Sequence, residues 1–273
     1  MASTAAMTGS ATVTPKHVFG VKADVTDNVA YLDEQTAIFP AGHNLVIHNT
    51  EQRSQKFVPG TEGSLGIIAM AVSSNRKFVA VAERSERFGD KPTISVYDLH
   101  TLRKRRTLPQ PPPEVESRDL VCLAFSPDAK ALLTLSGSPD WTLSVWAWEK
   151  PKPPTAYLRV SNPQHAELRH ASFSPHDNTA ICVTGNGICK FCRVHDNALK
   201  LIPASMGRRE PQFYTCHAWL ADDRVLVGTR ALPGAPRPSA RAMRAPRRAG
   251  GGAVDGVRPV SYTHLTLPTK RIV

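Results

Sequence analysis

The chain has 273 residues, 41% of them apolar, and a formal charge of +11; it is long enough to bury a real core, as one large domain or two small ones. Its longest apolar run, Leu65 to Val72, is far too short to cross a bilayer, and residues 1–15 lack the basic-then-apolar order of a secretion signal. The expectation is therefore a chain that neither spans a membrane nor is secreted, and five scattered cysteines suit a reducing compartment.

In chain order, the Ala/Ser/Thr-rich residues 1–16 are expected to form a disordered leader. Beyond them, short segments alternate apolar and polar residues with the period of two of a half-buried strand, each ending in Gly, Pro, Asn or Asp. A first blade, 17–60, offers Asn44-Leu45-Val46-Ile47 followed by His48-Asn49. The second, 61–110, brings the phrase Ala71-Val72-Ser73-Ser74-Asn75 before Phe78-Val79-Ala80, then a strand ending in Tyr97-Asp98. The third, 115–162, repeats it as Phe125-Ser126-Pro127-Asp128, with Trp146-Ala147 closing the later strand. The fourth, 165–206, has Phe173-Ser174-Pro175 and Asp177, then Phe191-Cys192. The fifth, 211–230, repeats the turn loosely around Asp222 and stops after two strands.

Aligned on Ser73, Ser126, Ser174 and Ala221, the copies stand roughly 53, 48 and 47 residues apart, close to the length of one four-stranded propeller blade. Pro127 and Pro175 preset φ at the first corner, and Asp128 and Asp177 can close the turn through the backbone. The aromatic pairs keep step with the turns, although only Tyr97-Asp98 matches the Trp-Asp dipeptide of WD repeats well. The expected fold is all-β: a WD-repeat β-propeller, incomplete at about four and a half blades, with disordered termini. Residues 231–273 hold Arg237, Arg241, Arg244, Arg247, Arg248, Arg258, Lys270 and Arg271 against Asp255 alone, so most of the net charge sits there. That segment is expected to be disordered and to be an out-of-frame or artefactual tail; a genuine basic arm, the other reading, would contact anionic partners.

The residues that could carry chemistry have simpler explanations. Cys189-Lys190-Phe191-Cys192 lacks a second ligand pair, and on a strand positions three apart point to opposite faces. No two histidines stand at helical ligand spacing, and Ser64 misses the nucleophile-elbow pattern at Glu62. Gly185-Asn186-Gly187 reads as a hairpin turn between two apolar strands. Neither an enzyme nor any cofactor or metal is expected. Arg103-Lys104-Arg105-Arg106 is the densest basic cluster outside the tail and reads as the charged outer edge of the second blade. Core packing accounts for Trp146, leaving Trp141 or Trp148 to face a partner.

Closer phrases carry a family resemblance: Tyr31-Leu32-Asp33-Glu34-Gln35, Gln55-Lys56-Phe57-Val58-Pro59-Gly60, Cys182-Val183-Thr184-Gly185-Asn186-Gly187, and Ala221-Asp222-Asp223-Arg224 with Val227-Gly228-Thr229. Over residues 17–229 the chain resembles the amino-terminal part of the cilia- and flagella-associated WD-repeat proteins. The resemblance implies a long protein of WD repeats followed by coiled coil, in the cytoskeleton of the ciliary or flagellar axoneme. It also implies attachment to axonemal microtubules and support of inner dynein arms, with protein partners and no catalytic residues. The competing reading is a nuclear or cytosolic propeller that binds RNA or another anionic partner through a basic surface. Neither membrane nor nucleic acid is the expected partner, and the oligomeric state is left open.

Overall fold

The computed structural model describes residues 16–87, 89–150, 152–160, 166–202, 213–221, 224–230 and, as backbone, 240–244. Residues 1–15 of the leader, Asp222 and the tail outside 240–244 lie outside the described residues. Among those described, all regular structure is β, in five antiparallel sheets whose strands follow chain order. The first holds β1 (Ala30–Tyr31), β2 (Thr36–Ala41), β3 (Asn44–Asn49) and β4 (Ser54–Val58); the second β5 (Ser64–Val72), β6 (Phe78–Ser85), β7 (Thr93–Asp98) and β8 (Lys104–Thr107). The third holds β9 (Leu120–Phe125), β10 (Leu132–Ser136), β11 (Thr142–Trp146) and β12 (Ala156–Arg159). The fourth holds β13 (Leu168–Ser174), β14 (Asp177–Gly185), β15 (Ile188–His195) and β16 (Ala198–Ile202), and the fifth β17 (Tyr214–Trp219), β18 (Arg224–Thr229) and β19 (Ala240–Arg244).

The first strands β5, β9, β13 and β17 stand side by side, and the second strands β6, β10 and β14 pack against the first strand of the next sheet. These are the blades of a propeller. The core lies in slabs between blades: Ile38, Leu45, Met70 and Val79 join the first and second, Ala80, Val96, Leu132 and Trp146 the second and third. Leu135, Leu143, Ala171 and Ile181 join the third and fourth, and Cys182, Phe191, Tyr214 and Val225 the fourth and fifth. Covered on both faces, β10 and β11 are buried at every residue, whereas the outer strand β12 alternates buried and exposed. No blade could bury its faces alone.

Two sequence expectations change. Trp141 and Trp148 do not face outward: they are 7% and 3% exposed, and the Trp148 ring meets Phe78 edge-on at 4.9 Å while its Nε1 donates to the Ala129 carbonyl at 2.8 Å. Within the segment read as disordered, residues 240–244 pair with β18, Arg224 opposite Arg244 and Gly228 opposite Ala240. An open strand edge offers backbone partners to whatever short chain follows it, so pairing there needs no apolar alternation.

The Gly185-Asn186-Gly187 hairpin forms, with Gly185 opposite Ile188 and Gly187 at φ 72°. A Cβ at Gly185 would stand 2.4 Å from the Glu167 carbonyl oxygen and 2.6 Å from Leu168 Cα, both backbone atoms. Gly185→Ala is therefore expected to destabilise the protein by about 1–3 kcal/mol. An unaltered thermal midpoint would show that the β13 entry is looser than these contacts require.

Candidate functional site

The repeated turns occupy one rim. In the second blade Ser73 Oγ donates to Asn75 Oδ1 at 2.7 Å and accepts Phe78 N at 2.9 Å, with Arg76 at φ 56°. The third repeats this: Ser126 Oγ donates to Asp128 Oδ1 at 2.5 Å and accepts Ala131 N at 2.9 Å, with Ala129 at φ 58°. In the fourth the turn is shorter. Ser174 pairs directly with Asp177, whose Oδ1 accepts Thr179 N at 2.8 Å while its Oδ2 meets Arg193 at 2.8 Å. His176 N reaches Ser174 Oγ at 3.3 Å, and Pro175 sits exposed at the corner. Successive turns also touch: Arg76 donates to the Tyr31 carbonyl, Ser74 Oγ to the Pro127 carbonyl, and Asp128 N to Asn178 Oδ1. The result is a belt of hydrogen bonds across four blades.

The later markers are inside or at strand ends. Tyr97, Trp146 and Phe191 are buried, Trp146 Nε1 donates to Thr134 Oγ1 at 3.1 Å, and Phe191 meets Trp219 edge-on at 6.1 Å. Asp98 caps the next turn by accepting the amides of Thr101 and His100, and the Thr101 bond leads in holding its carboxyl below the usual range.

The opposite rim is held by buried carboxylates that the sequence does not signal. Glu83, 2% exposed at the end of β6, accepts Thr61 N at 2.8 Å and Thr61 Oγ1 at 2.6 Å. Asp140, also 2% exposed, accepts Ser117 N at 2.8 Å, Thr142 Oγ1 at 2.8 Å and Ser136 Oγ at 3.0 Å. Each thereby fastens the incoming connection of its blade to the second strand. A narrow cavity beside Asp140, lined by Ile94, Ser117, Thr134 and Trp146, has room for about two water molecules, well below what a metabolite needs.

A polar cluster lies at the seam between the fourth and fifth blades. His217 Nε2 meets Ser172 Oγ at 2.8 Å, its Nδ1 meets Thr184 Oγ1 at 2.8 Å and His170 Nδ1 at 3.2 Å, and His170 Nε2 stands 3.5 Å from Asp27. The order Asp, His, His, Ser invites a nucleophile reading. Ser172 Oγ, however, also takes the Trp219 Nε1 bond at 2.9 Å, and burial, then the neighbouring His170, press the His217 pKa down to about 3. So depressed, the ring is a poor proton acceptor, and what the network does is fasten β17 to β13 and β14.

That depression has a measurable consequence. Unfolded, the ring titrates near pH 6.5; folded, it stays neutral down to about pH 3, so between those values the unfolded chain binds more protons. Stability should therefore be intact above pH 6.5 and fall by on the order of 1.4 kcal/mol for each pH unit below it. Urea titrations at successive pH values read the slope, and His217→Gln should flatten it; an equal slope in that variant would put the acid sensitivity elsewhere.

Cys189 and Cys192 lie on opposite faces of β15, Cys192 in the slab toward the third blade and Cys189 in that toward the fifth. Burial raises the thiol pKa of Cys122 and of Cys192 to about 12, and that of Cys182 well above its usual value, which makes them unreactive. Among the described residues, no three of His, Cys, Asp and Glu are grouped to hold a metal ion. In the basic cluster on β8, Lys104 lies 5.7 Å from the Tyr97 ring centre and Arg106 donates to the Glu149 carbonyl at 2.8 Å.

Comparison with known proteins gives the family. No family model matches the chain. Cilia- and flagella-associated protein 57 of Mus musculus is 39% identical over 215 residues, 78% of this chain and 16% of that protein. Protein 57 C of Tetrahymena thermophila is 28% identical over 178 residues, 63% of this chain and 13% of its own length. Protein 44 of Mus musculus is 24% identical over 221 residues, 80% of this chain and 11% of its own. The chain thus spans about a sixth or less of the curated relatives it matches. Among solved structures, a chain of the mitotic checkpoint complex superposes with a TM-score of 0.55 at 14% identity, covering 71% of this chain and 55% of that one. That likeness speaks for the propeller fold alone. With its repeated turns, its blades and these relatives, the chain belongs to the cilia- and flagella-associated WD-repeat proteins, a family of the cilium and flagellum.

Proposed function

We propose that the chain is a non-catalytic WD-repeat scaffold of the ciliary or flagellar axoneme, supporting the assembly or attachment of inner dynein arms. The observation that carries this reading is the similarity along most of the blade region to proteins named for cilia and flagella. The polar side chains add support from chemistry. Glu83, Asp140, Ser172 and His217 spend their hydrogen bonds on joining strands and blades. A propeller so braced presents rigid rims on which partners can be held at fixed spacing.

A tagged form of the full chain expressed in ciliated cells tests the proposal. It should concentrate along the axoneme, persist after detergent extraction, and crosslink to dynein-arm components. A nuclear signal with no axonemal fraction would favour the RNA-binding adaptor instead.

A further inference from the structure

Among the described residues the sheets end on their outer side at β4, β8, β12 and β16, and no further strand pairs with any of them; Val18 bonds the Gln55 side chain of β4, and β12 lies close to β16. Each therefore presents a free edge of backbone donors and acceptors at the circumference. Their ionisable side chains are all of one sign: Lys56 on β4, Lys104, Arg105 and Arg106 on β8, Arg159 on β12 and Lys200 on β16, with no Asp or Glu on any of the four. Acids lie instead in the loops of both rims, at Glu62, Glu86, Glu114, Glu116, Asp119 and Glu167 on the one that holds Asp140 and at Glu34, Glu51, Asp128, Glu149 and Asp196 on the other. Protection of an edge against aggregation is served by one charge in each strand. It accounts neither for three cations in succession on β8 nor for the same sign on four separate blades.

We propose that this circumference is a docking surface for an acidic, extended polypeptide segment, which adds to an outer strand edge while its carboxylates meet the cations beside it. The proposal rests on the scaffold reading and gives the partner a chemistry. Strand addition supplies affinity through the main chain, and the one-signed charge selects the partner and steers its approach. A single-stranded nucleic acid would want successive aromatic platforms for its bases, and Tyr157 is the one aromatic among the exposed large apolar side chains of these strands.

The test measures binding of fluorescent poly-L-glutamate to the full chain by anisotropy at low salt. Four exposed positions on four blades are reversed together, Lys56→Glu, Arg105→Glu, Arg159→Glu and Lys200→Glu, and a companion variant carries glutamine at all four. The reversal is expected to weaken binding at least ~10-fold and the glutamine variant less, both with the parent's melting temperature, since exposed positions tolerate such changes. Because the tail is also basic, a third variant replaces its eight cations by glutamine and should keep most of the affinity. The proposal is overturned by affinity within ~2-fold of the parent in the reversed chain, by loss of binding on neutralising the tail alone, or by tighter binding of a single-stranded oligonucleotide of equal charge. Failure here leaves axonemal localisation untouched, so it is distinct from failure of the scaffold reading.

Discussion

Trp146→Ala should lower the stability of the protein by about 3–5 kcal/mol, through loss of apolar contact and a residual cavity between the second and third blades. The indole is 2% exposed and lies in one slab with Ala69, Ala80, Val96 and Leu132, so its removal strips contacts from both blades. Its Nε1 also satisfies Thr134 Oγ1 at 3.1 Å, and Thr134 is itself 4% exposed, which leaves a buried hydroxyl short of a partner in the variant. Trp146→Phe keeps most of the ring and gives up that bond, so it should cost about 1–2 kcal/mol beyond its smaller volume. Urea denaturation followed by the remaining tryptophans separates these cases. A midpoint unmoved by Trp146→Ala would mean that the third blade is not packed in this register.

What the residues disclose by themselves follows the range of the interaction. Ser73 and Ser126 bond within five positions along the chain, so their turns recur as a phrase and can be aligned. Tyr97 and Trp146 recur because the third strand of each blade needs a bulky side chain on the face toward the preceding blade; in the fourth blade that face is held by Cys192, and Phe191 points to the fifth blade instead. Glu83 and Asp140 act on Thr61 and Ser117, which are 22 and 23 residues away on the other side of a strand or more, and their own neighbours carry no pattern. His217 meets Ser172 across 45 residues, and its role exists only once two blades are brought together. Trp141 and Trp148 were open to a surface reading because each sits in or beside a loop; the structure folds those loops back over the blade. Charge was obscured differently. The tail dominates the net value, and Lys56, Lys104, Arg105, Arg106, Arg159 and Lys200 look scattered until the outer strands bring them to one circumference.

Asp140→Ala is the second large effect, expected at about 3–5 kcal/mol because three buried donors lose one common acceptor. Oδ1 takes Ser117 N at 2.8 Å, tying the connection that enters the third blade, and Oδ2 takes Thr142 Oγ1 at 2.8 Å and Ser136 Oγ at 3.0 Å, tying β10 to β11. Ser117, Ser136 and Thr142 are all buried, so their donors lose a charged acceptor that water from the neighbouring cavity replaces only in part. Asp140→Asn retains one oxygen and the shape, and its amide would set a donor against donors at the other position; about half the loss should remain. Hydrogen exchange distinguishes a local from a shared consequence. Faster exchange confined to Ser117 and Thr142 would mean that each blade is braced on its own. Loss of protection spreading to β5 and β13 would mean that the blades unfold together, as expected where the core lies between them and nowhere within them.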